Sequence, residues 1–420
     1  MKVAYFVSRY PQPCQTFVQR EIRGVIAAGV CVTVFPIVSP RRRVRTSAGA
    51  RGALPVEVIY TQGLSAGCIR WALYYLGRQP ETCLRLLGMI IRDTWRRPLD
   101  LAKSLVSFHK SFALAAAVRA MDCDHIHAHW SSHPATAAMV VSKLTGIPFS
   151  FAFHAYDLFA TRILLRRKLR EASLAVLNCR HNWDYLLRLY PDTDTRKLVL
   201  LYNGLDLERF GKQARLGDKA RPLLLVIGRL VASKGFDCFI EACRLLAEDG
   251  RSFRGVIIGD GPEKARLRSL VRKHGLEDSV ELLGEKPVEA VLGYLGQAAL
   301  LAVPCVQPRR GSHDALPNVI MEAQAARVPV VASNLFGIPE IVKHDVTGLL
   351  VPPGEPRALK LAMARLLDDA ALGPRLAARA RQELAREFDI HANGARLAAL
   401  FSAGPQSARR EHERPMTWTA

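Results

Sequence analysis

Residues 313–333 read HDALPNVIMEAQAARVPVVAS, and this stretch decides how the chain can be interpreted. Its first part has the apolar spacing of a helix, and the β-branched residues at its end predict a strand. Pro317 suits the first turn of a helix, where the N–H that proline lacks has no intrahelical partner. The start of such a helix directs the amides of Asn318 and Val319 towards an anion. The stretch therefore predicts an anion site at the start of this helix.

Two acidic residues flank the predicted anion site. Asp314 lies just before the helix, and Glu322 lies on it. Two carboxylates beside an anion would repel it. Hydrogen bonding to sugar hydroxyls would explain their presence, because carboxylates are good bidentate acceptors. The alternative is that Asp314 caps the helix and that Glu322 faces solvent.

The rest of the chain alternates short apolar runs with amphipathic stretches, which is typical of βα units around a parallel sheet. Predicted strands occur at 3–7, 31–38, 149–153, 174–178, 198–204, 223–230, 279–285 and 300–305. We therefore predict an α/β protein with two doubly wound halves, whose ligands bind beyond the carboxyl ends of the strands and around one shared cleft.

The predicted domain boundaries follow the changes in this pattern. Residues 1–204 form an N-terminal domain with a helical insertion at about 65–120, and residues 222–388 form the C-terminal domain. The charged, aperiodic segment 205–221 is interpreted as a linker. A helix at 389–405 is expected to pack back on the N-terminal domain, and 406–420 to be a flexible tail.

A second candidate phosphate site lies in VIGRLVASKG, residues 226–235. Gly228 ends a strand and lets a phosphate approach the backbone, while Arg229 and Lys234 can neutralise a diphosphate. The alternative is a surface turn with two solvated charges. IGDGPEKARL, residues 258–267, lacks the third glycine of a dinucleotide fingerprint, so we interpret it as a tight turn.

Composition narrows the function classes. The formal net charge of +21 suits an anionic partner, but no nucleic-acid reader motif accompanies it. Nine cysteines occur without any CxxC pair, which predicts a reducing cytoplasm and no disulfide framework or zinc knuckle. The apolar run near the N-terminus is too short for a signal peptide, and no apolar tract reaches a membrane span of about 20 residues.

Residues 124–133 read DHIHAHWSSH. Strand alternation places His125, His127 and His129 on one face, a spacing that also occurs in metal sites. For His125 and His127 we favour hydrogen-bonded histidines on the sheet over metal ligands. His129 and the following Trp130 lie nearest the strand's carboxyl end and are predicted to line an acceptor pocket.

The motifs together resemble the family 4 glycosyltransferases, which have the retaining, two-Rossmann GT-B type of architecture. Asp314 and Glu322 match the acid, seven residues, then glutamate of that family. The segments at 201–210, 226–235, 259–262, 337–342 and 346–354 match in order, and 125–159 resembles the exopolysaccharide and colanic-acid-type branch. The resemblance implies two Rossmann-like domains facing each other across a cleft.

The resemblance also implies roles for individual residues. The donor diphosphate would be bound by Gly228, Arg229, Lys234 and the backbone of Leu316, Asn318 and Val319. The donor sugar would contact Asp314 and His154, the two candidate catalytic residues, and the ribose would contact Glu322. The base would lie near Glu285 and Lys286. The acceptor-side residues would be His129, Trp130, Asp157 and Thr16.

The implied activity is transfer of a sugar from a UDP- or GDP-sugar to a saccharide acceptor in exopolysaccharide or lipopolysaccharide biosynthesis. The resemblance to this branch implies that the acceptor is lipid-linked. Cations and a helix start can stabilise the departing diphosphate, and no DxD motif follows a predicted strand, so no metal or other cofactor is expected. The alternatives are a GT-B nucleotide-sugar epimerase and a catalytically impaired sugar-binding partner protein.

Some positions depart from the family pattern. Asp314 replaces the usual glutamate, Ala315 stands where glycine is common, and Cys14 and Gln15 occupy the Ser and Glu places of the first loop. Activity is nevertheless expected.

Two basic segments, 40–52 and 162–177, suggest contact with an anionic membrane. A solvated basic face explains them equally well. Because the family resemblance implies a lipid-linked acceptor, we favour the membrane interpretation and predict a cytoplasmic protein that is peripheral on the inner face of the plasma membrane.

Overall fold

The computed structural model describes residues 1–11, 16–38, 54, 56–61, 65–210, 220–308 and 315–403, apart from the side chains of Ala155 and Tyr156. The chain divides into two compact units. The first unit comprises Met1–Gly204 together with the chain from Ile390 onwards, and the second unit comprises Leu205–Asp389.

The first unit is built on a seven-stranded sheet in the order β3-β2-β1-β4-β5-β6-β7, with parallel pairing throughout. Its strands are β1 (Lys2–Val7), β2 (Cys31–Pro36), β3 (Glu57–Val58), β4 (His125–His129), β5 (Phe149–Ala152), β6 (Leu174–Leu177) and β7 (Leu198–Leu200). Ala4 and Phe6 join the core on one face of the sheet, and Tyr5 and Val7 join the core on the other. Because both faces are covered, β1 is apolar at almost every position.

Helices cover both faces of this sheet. They are α1 (Thr16–Ala27), α2 (Ala66–Arg78), α3 (Pro80–Thr94), α4 (Pro98–Ala120), α5 (His133–Thr145), α6 (Ala155–Phe159), α7 (Leu165–Glu171) and α8 (Arg180–Leu189). The three helices α2, α3 and α4 lie between β3 and β4, in the segment predicted as a helical insertion. Helix α3 packs against the sheet core through Leu86 and Ile90, and helix α4 packs against it through Phe112.

The second unit contains a six-stranded parallel sheet in the order β10-β9-β8-β11-β12-β13. Its strands are β8 (Leu223–Ile227), β9 (Arg254–Ile258), β10 (Val280–Gly284), β11 (Ala298–Val303), β12 (Val330–Ser333) and β13 (Leu349–Val351). Its helices are α9 (Leu207–Phe210), α10 (Phe236–Glu248), α11 (Lys264–Lys273), α12 (Val288–Gln297), α13 (Asn318–Ala325), α14 (Ile338–Ile341), α15 (Pro356–Asp368) and α16 (Leu372–Glu387).

Each sheet reverses its order of winding once. In the first unit the reversal lies between β1 and β4, and in the second unit it lies between β8 and β11. At such a point the two following loops leave in opposite directions and open a crevice beyond the strand ends. These two switch points are therefore where ligand-binding residues are expected in each unit.

The last described helix, α17 (Ile390–Ala403), belongs to the first unit and packs against α1. The helices approach closely where Gly394 meets Gly24, since a Cβ at Gly394 would lie 2.2–2.5 Å from the Gly24 backbone. Phe401 then reaches the core beside Tyr5. None of the helices in the described part of the chain has the length and apolarity needed to span a bilayer.

The junction between the units differs from the predicted linker. The second unit already begins at Leu205, whose N–H donates to the Phe388 carbonyl at 2.7 Å. Leu205 also forms a parallel bridge with Asp389. Residues 211–219 of the predicted linker and the predicted tail at 406–420 lie outside the described residues.

The contact of α17 with α1 can be tested by Gly394→Ala. The added methyl group would overlap the Gly24 backbone, so we expect a loss of about 1–3 kcal/mol in the free energy of unfolding. Gly88→Ala is the matched control, because a Cβ on this α3 glycine meets nothing within 4 Å. That control should be neutral or stabilising by up to about 1 kcal/mol. Equal effects of the two substitutions in urea denaturation would contradict the close helix contact.

Candidate active site

The candidate site of the first unit lies at the switch point between β1 and β4. Thr16 begins α1, the helix that follows β1, and Trp130 directly follows β4. His154 follows β5, the next strand along the sheet. The Phe17 ring lies 4.6 Å from the His154 ring, and the Trp130 ring lies 5.1 Å from the His154 ring, between ring centroids. The structure thus brings three of the predicted site residues to one edge of the sheet.

A series of hydrogen bonds positions His154 and leads through His129 to Glu21. His154 Nε2 lies 3.1 Å from His129 Nδ1, and His129 Nε2 lies 2.9 Å from Glu21 Oε1. The Tyr5 hydroxyl also donates to Glu21 Oε1, at 3.1 Å. His129 is buried, so it does not line an acceptor pocket as predicted. It instead connects His154 to the Glu21 carboxylate.

Burial and neighbouring groups determine the charges of Glu21 and His154. Burial opposes ionisation of Glu21, but the adjacent His129, His127 and Tyr5 outweigh it and bring the pKa of the carboxyl to about 2. Burial lowers the pKa of His154 to about 3, so its imidazole is neutral near pH 7. The ionised Glu21 carboxylate can only accept, so it accepts from His129 Nε2–H. Where His129 Nδ1 carries no hydrogen, it accepts from His154 Nε2–H. His154 Nδ1 is then left as an acceptor for a ligand hydroxyl.

His125 and His127 lie deeper on the same face of β4. The Ser150 hydroxyl is hydrogen-bonded to both, at 2.7 Å from His125 Nε2 and 2.8 Å from His127 Nδ1. The prediction that these are hydrogen-bonded histidines of the sheet is therefore confirmed. Glu21, His127 and His129 each bring one potential ligand atom within 4.8 Å of the others, so these three residues could hold a metal ion.

A strained turn after β4 sets the position of Trp130, whose φ of +74° lies in the left-handed region. Two buried charged residues hold the next residue, Ser131. Its N–H donates to Asp157 Oδ2 at 2.9 Å, and its carbonyl accepts from Lys168 Nζ at 2.6 Å. Lys168 also donates to the carbonyls of Ser132 and Ile163. The pair therefore fixes the turn that carries Trp130.

The positions of Asp157 and Lys168 contradict two predictions, an acceptor contact for Asp157 and an outer face for Lys168. Asp157 is fully buried and binds backbone amides of Ser131 and His154, so it positions the site and does not contact an acceptor. Lys168 is also fully buried, although the sequence predicts a basic outer face for its segment, 162–177. Burial raises the pKa of Asp157 and lowers that of Lys168.

Three other cations of that segment make ion pairs within the protein. Arg166 and Arg170 both pair with Asp192, at 2.6 Å and 3.3 Å, and Arg167 pairs with Asp93 at 2.7 Å. The leucines of α7 face the core. Helix α7 therefore has no exposed apolar face for a bilayer, and the other basic segment, 40–52, lies outside the described residues.

In the second unit, the predicted diphosphate-binding residues follow β8 and β11, the strands on either side of its switch point. The Lys234 side chain runs back over Gly228, since a Cβ at Gly228 would lie 3.7 Å from Lys234 Cε. Arg229 is exposed beside them. A hydrogen bond of 3.0 Å from Val306 N–H to the Ser233 carbonyl joins the segment after β11 to the segment after β8.

Helix α13 begins at Asn318, after the segment that leaves β11. Leu316 is buried, whereas Asn318, Val319 and Glu322 are half-buried on and around the first turn. Asp314, the second candidate catalytic residue, lies outside the described residues, as do Cys14 and Gln15. Helices direct their first-turn amides outwards, so this helix start can accept an anion.

Glu285 and Lys286, predicted near the base, follow β10 and are exposed. Strand β10 lies at the end of the sheet, two positions from β8. These two residues therefore share the carboxyl edge with Gly228 and Lys234 but do not lie at the switch point.

Comparison with known proteins agrees with this arrangement. The family model for glycosyltransferase family 4 matches residues 15–209, and the model for glycosyl transferases group 1 matches residues 209–383. The chain is a family 4 glycosyltransferase. As a member of this family it has the GT-B fold, with one Rossmann-like sheet in each unit.

Individual relatives match over nearly their whole length. A putative colanic acid biosynthesis glycosyltransferase, WcaL of Escherichia coli, is 29% identical over 96% of this chain and 100% of its own. The amylovoran biosynthesis glycosyltransferase AmsK of Erwinia amylovora is 26% identical over 96% and 99%. The crystal structure of Anabaena Alr3699/HepE with UDP and glucose superposes on this glycosyltransferase with a TM-score of 0.69, at 18% identity, over 96% of this chain and 100% of the other.

Sequence reasoning missed Glu21, Phe17 and Lys168. Glu21 is the acidic residue of the described helix α1, which otherwise carries apolar, neutral polar and basic side chains. An isolated acidic residue in the first helix after β1 could have marked Glu21 as a site residue, because such a helix starts at the switch point. No comparable signal marks Lys168, since two of its three carbonyl partners, Ser131 and Ser132, come from a distant segment of the chain.

Lys168→Met should destabilise the first unit strongly. The substitution would leave three carbonyl oxygens without their ammonium donor and would isolate Asp157, so we expect a loss of about 3–5 kcal/mol. Lys143→Met is the control, because Lys143 makes a partly exposed ion pair with Glu171 and should contribute at most about 1 kcal/mol. Similar midpoints for the two variants in urea denaturation would contradict the buried role of Lys168.

The buried histidines should make stability depend on pH. Burial lowers the pKa of His125 to about 4 and that of His154 to about 3, whereas unfolded histidine titrates near about 6.5. The unfolded chain binds more protons between these values, so stability is complete above about pH 6.5 and is lost as pH falls towards about 4.

Urea denaturation at a series of pH values measures this dependence. His154→Asn should reduce the slope of unfolding free energy against pH between about 6.5 and 5, a range above the usual carboxylate pKa values. An unchanged slope would show that His154 is not buried as a neutral ring.

Proposed function

We propose that this glycosyltransferase moves a sugar from a UDP- or GDP-sugar to a saccharide acceptor with retention of configuration and without a metal ion. The observation that supports this most is the placement of the predicted diphosphate residues. They follow β8 and β11, the two strands on either side of the switch point of the second sheet. In α/β sheets of this kind, this is where nucleotide ligands bind.

The second unit would stabilise the leaving group. Breaking the bond between sugar and diphosphate builds negative charge on the departing phosphate. Arg229, Lys234 and the backbone at Leu316, Asn318 and Val319 would then interact more strongly with the transition state than with the bound donor. Because two cations and a helix start provide this charge, the transfer would need no divalent ion.

The remaining donor contacts are assigned by residue type. Glu322 would accept hydrogen bonds from the ribose hydroxyls, and Asp314 from the donor sugar. Glu285 and Lys286 would lie near the base, at the outer end of the same sheet edge.

The first unit would supply the sugar and acceptor contacts. His154, with Nδ1 as acceptor, would bind a hydroxyl of the transferred sugar, and Trp130 would stack on a sugar ring. Thr16 would add a hydroxyl contact from the start of α1. Retention would follow if the acceptor attacks the face that the diphosphate leaves, with the leaving phosphate taking the acceptor's proton.

The biological role is proposed from the relatives. WcaL and AmsK are named for colanic acid and amylovoran biosynthesis, and their likeness covers nearly the whole chain. We assign this enzyme to exopolysaccharide or lipopolysaccharide assembly on a lipid-linked saccharide acceptor. Its place would be the cytoplasm, at the inner face of the plasma membrane.

A panel of UDP- and GDP-sugars tests the proposal, first by ligand-induced thermal shift and then by transfer to lipid-linked saccharides. Lys234→Ala should lower kcat/KM for the preferred donor by about 100-fold or more, because it removes charge from the leaving-group site. Lys273→Ala, an exposed lysine of α11, should leave it unchanged. Activity should persist in EDTA, and the product anomer should match that of the donor by NMR.

Three results would contradict the proposal. Loss of activity in EDTA that Mg²⁺ or Mn²⁺ restores would refute the metal-independent mechanism. An inverted anomer would refute retention. Conversion of a nucleotide sugar into its epimer without any acceptor would identify an epimerase, whereas donor binding without turnover on any acceptor would indicate a sugar-binding protein.

A further inference from the structure

The exposed apolar side chains of the described residues are unevenly distributed. Nine of the fourteen large apolar residues that are exposed lie between Ala66 and Val106, within α2, α3 and the first half of α4. Leu73 and Leu84 are 66% and 62% exposed. A concentration of this kind on one structural element marks an interaction surface, whereas single exposed apolar residues need no explanation.

The exposed residues follow helical periodicity. On α2 they recur as Ile69, Leu73 and Leu76, while Cys68 and Tyr75 on another face are buried. These spacings of three and four residues place the exposed side chains in one stripe along the helix. Helix α2 is thus apolar on two faces, of which one packs against the protein core.

Helix α3 repeats the arrangement. Leu84, Ile91 and the C-capping Trp95 form an exposed stripe, while Leu86 and Ile90 are buried in the core. Leu99 and Val106 continue the exposed apolar surface on α4, seven residues apart and therefore on one face. We call the stripes of α2, α3 and α4 the insertion surface.

Arginine side chains surround the insertion surface. Residues 66–97 contain six arginines and two acidic residues. Arg70 lies over the Trp71 ring, Arg78 over the Tyr74 ring and Arg96 over the Trp95 ring, with guanidinium-to-centroid distances of 5.1–5.8 Å. Apolar stripes bordered by arginine and by tryptophan or tyrosine are typical of helices that lie in a membrane interface.

We propose that the insertion surface docks the enzyme on an anionic phospholipid bilayer, with α2 and α3 lying in the interface. Leu73, Leu84 and Trp95 would enter the boundary between headgroups and acyl chains. Arg70, Arg78 and Arg96 would bind lipid phosphates. The excess of positive charge favours a lipid surface over a second copy of the chain, because two such surfaces would repel each other.

This inference deepens the proposed function and rests on it for the lipid-linked acceptor. It also changes the membrane contact that the sequence suggested. The arginines of α7 make ion pairs within the protein and its leucines are buried. On the insertion surface, apolar side chains are exposed and Arg70, Arg78 and Arg96 lie over aromatic rings, although Arg85, Arg92 and Arg97 also pair with neighbouring acids.

Co-sedimentation of the full chain with vesicles tests the docking without donor or acceptor. The vesicles are phosphatidylcholine alone, or phosphatidylcholine with about 30% phosphatidylglycerol as the anionic lipid. The wild-type protein should bind the anionic vesicles and bind neutral ones at least about 10-fold more weakly. The triple variant Leu73→Ser/Leu84→Ser/Trp95→Ser should lower the partition coefficient on anionic vesicles by about 10-fold or more.

Leu361→Ser is the matched control, because Leu361 is 64% exposed on α15 of the second unit. It should bind as the wild type does. Arg70→Gln/Arg78→Gln/Arg96→Gln should remove the preference for anionic over neutral vesicles. Brominated acyl chains should quench tryptophan fluorescence in the wild type and less in Trp95→Phe, which reports insertion directly.

Several outcomes would overturn the proposal. One is vesicle binding by the triple serine variant equal to that of the wild type, and another is equal binding of neutral and anionic vesicles. A wild-type dimer that the triple variant converts to a monomer without vesicles would assign the surface to self-association. Donor-induced thermal shift of the triple variant should stay unchanged, so a failure of docking remains distinct from a failure of the proposed transferase chemistry.

Discussion

The structure depends on one constraint, the parallel direction of the strands in both sheets. Parallel strands end at the same edge, and the loops that follow neighbouring strands separate only where the winding reverses. In the first unit this places the start of α1 beside Trp130. In the second unit it places the segment after β8 beside the segment after β11, where Val306 N–H donates to the Ser233 carbonyl. Residues that are far apart in sequence are therefore assembled by topology, and few of them contact one another directly.

Within the first unit, burial fixes the hydrogen-bond partners and the charge of side chains that would be solvated on a surface. Ser150 binds two histidines that would otherwise lack partners inside the sheet, and Glu21 accepts from His129 and Tyr5. Burial lowers the pKa of His154 by more than the Glu21 carboxylate raises it, so the His154 imidazole stays neutral near pH 7. The result is an imidazole whose orientation is set by the buried His129 and, through it, by Glu21.

Much of the fold could be predicted from local sequence. The continuous apolar run of β1, the spacing of α1 and the helices of the insertion are each encoded in adjacent residues. Lys168 could not be predicted, because its segment has the pattern of a solvated basic helix and its partners Ser131 and Ser132 are more than thirty positions away. The same holds for Glu21, which contacts His129 across 108 positions. For β3, two residues are too few to give a periodic signal.

The return of α17 to the first unit has a consequence for the order in which the enzyme is completed. The chain passes between the units at Gly204–Leu205 and again at Asp389–Ile390. These two crossings run side by side, since Leu205 bridges Asp389 and a Cβ at Gly204 would lie 2.8 Å from the Ile390 backbone. The second unit is thus inserted into the sequence of the first, and its two ends lie together at Leu205 and Asp389. The first unit therefore gains α17, the helix that packs against α1, only after the second unit has been synthesised.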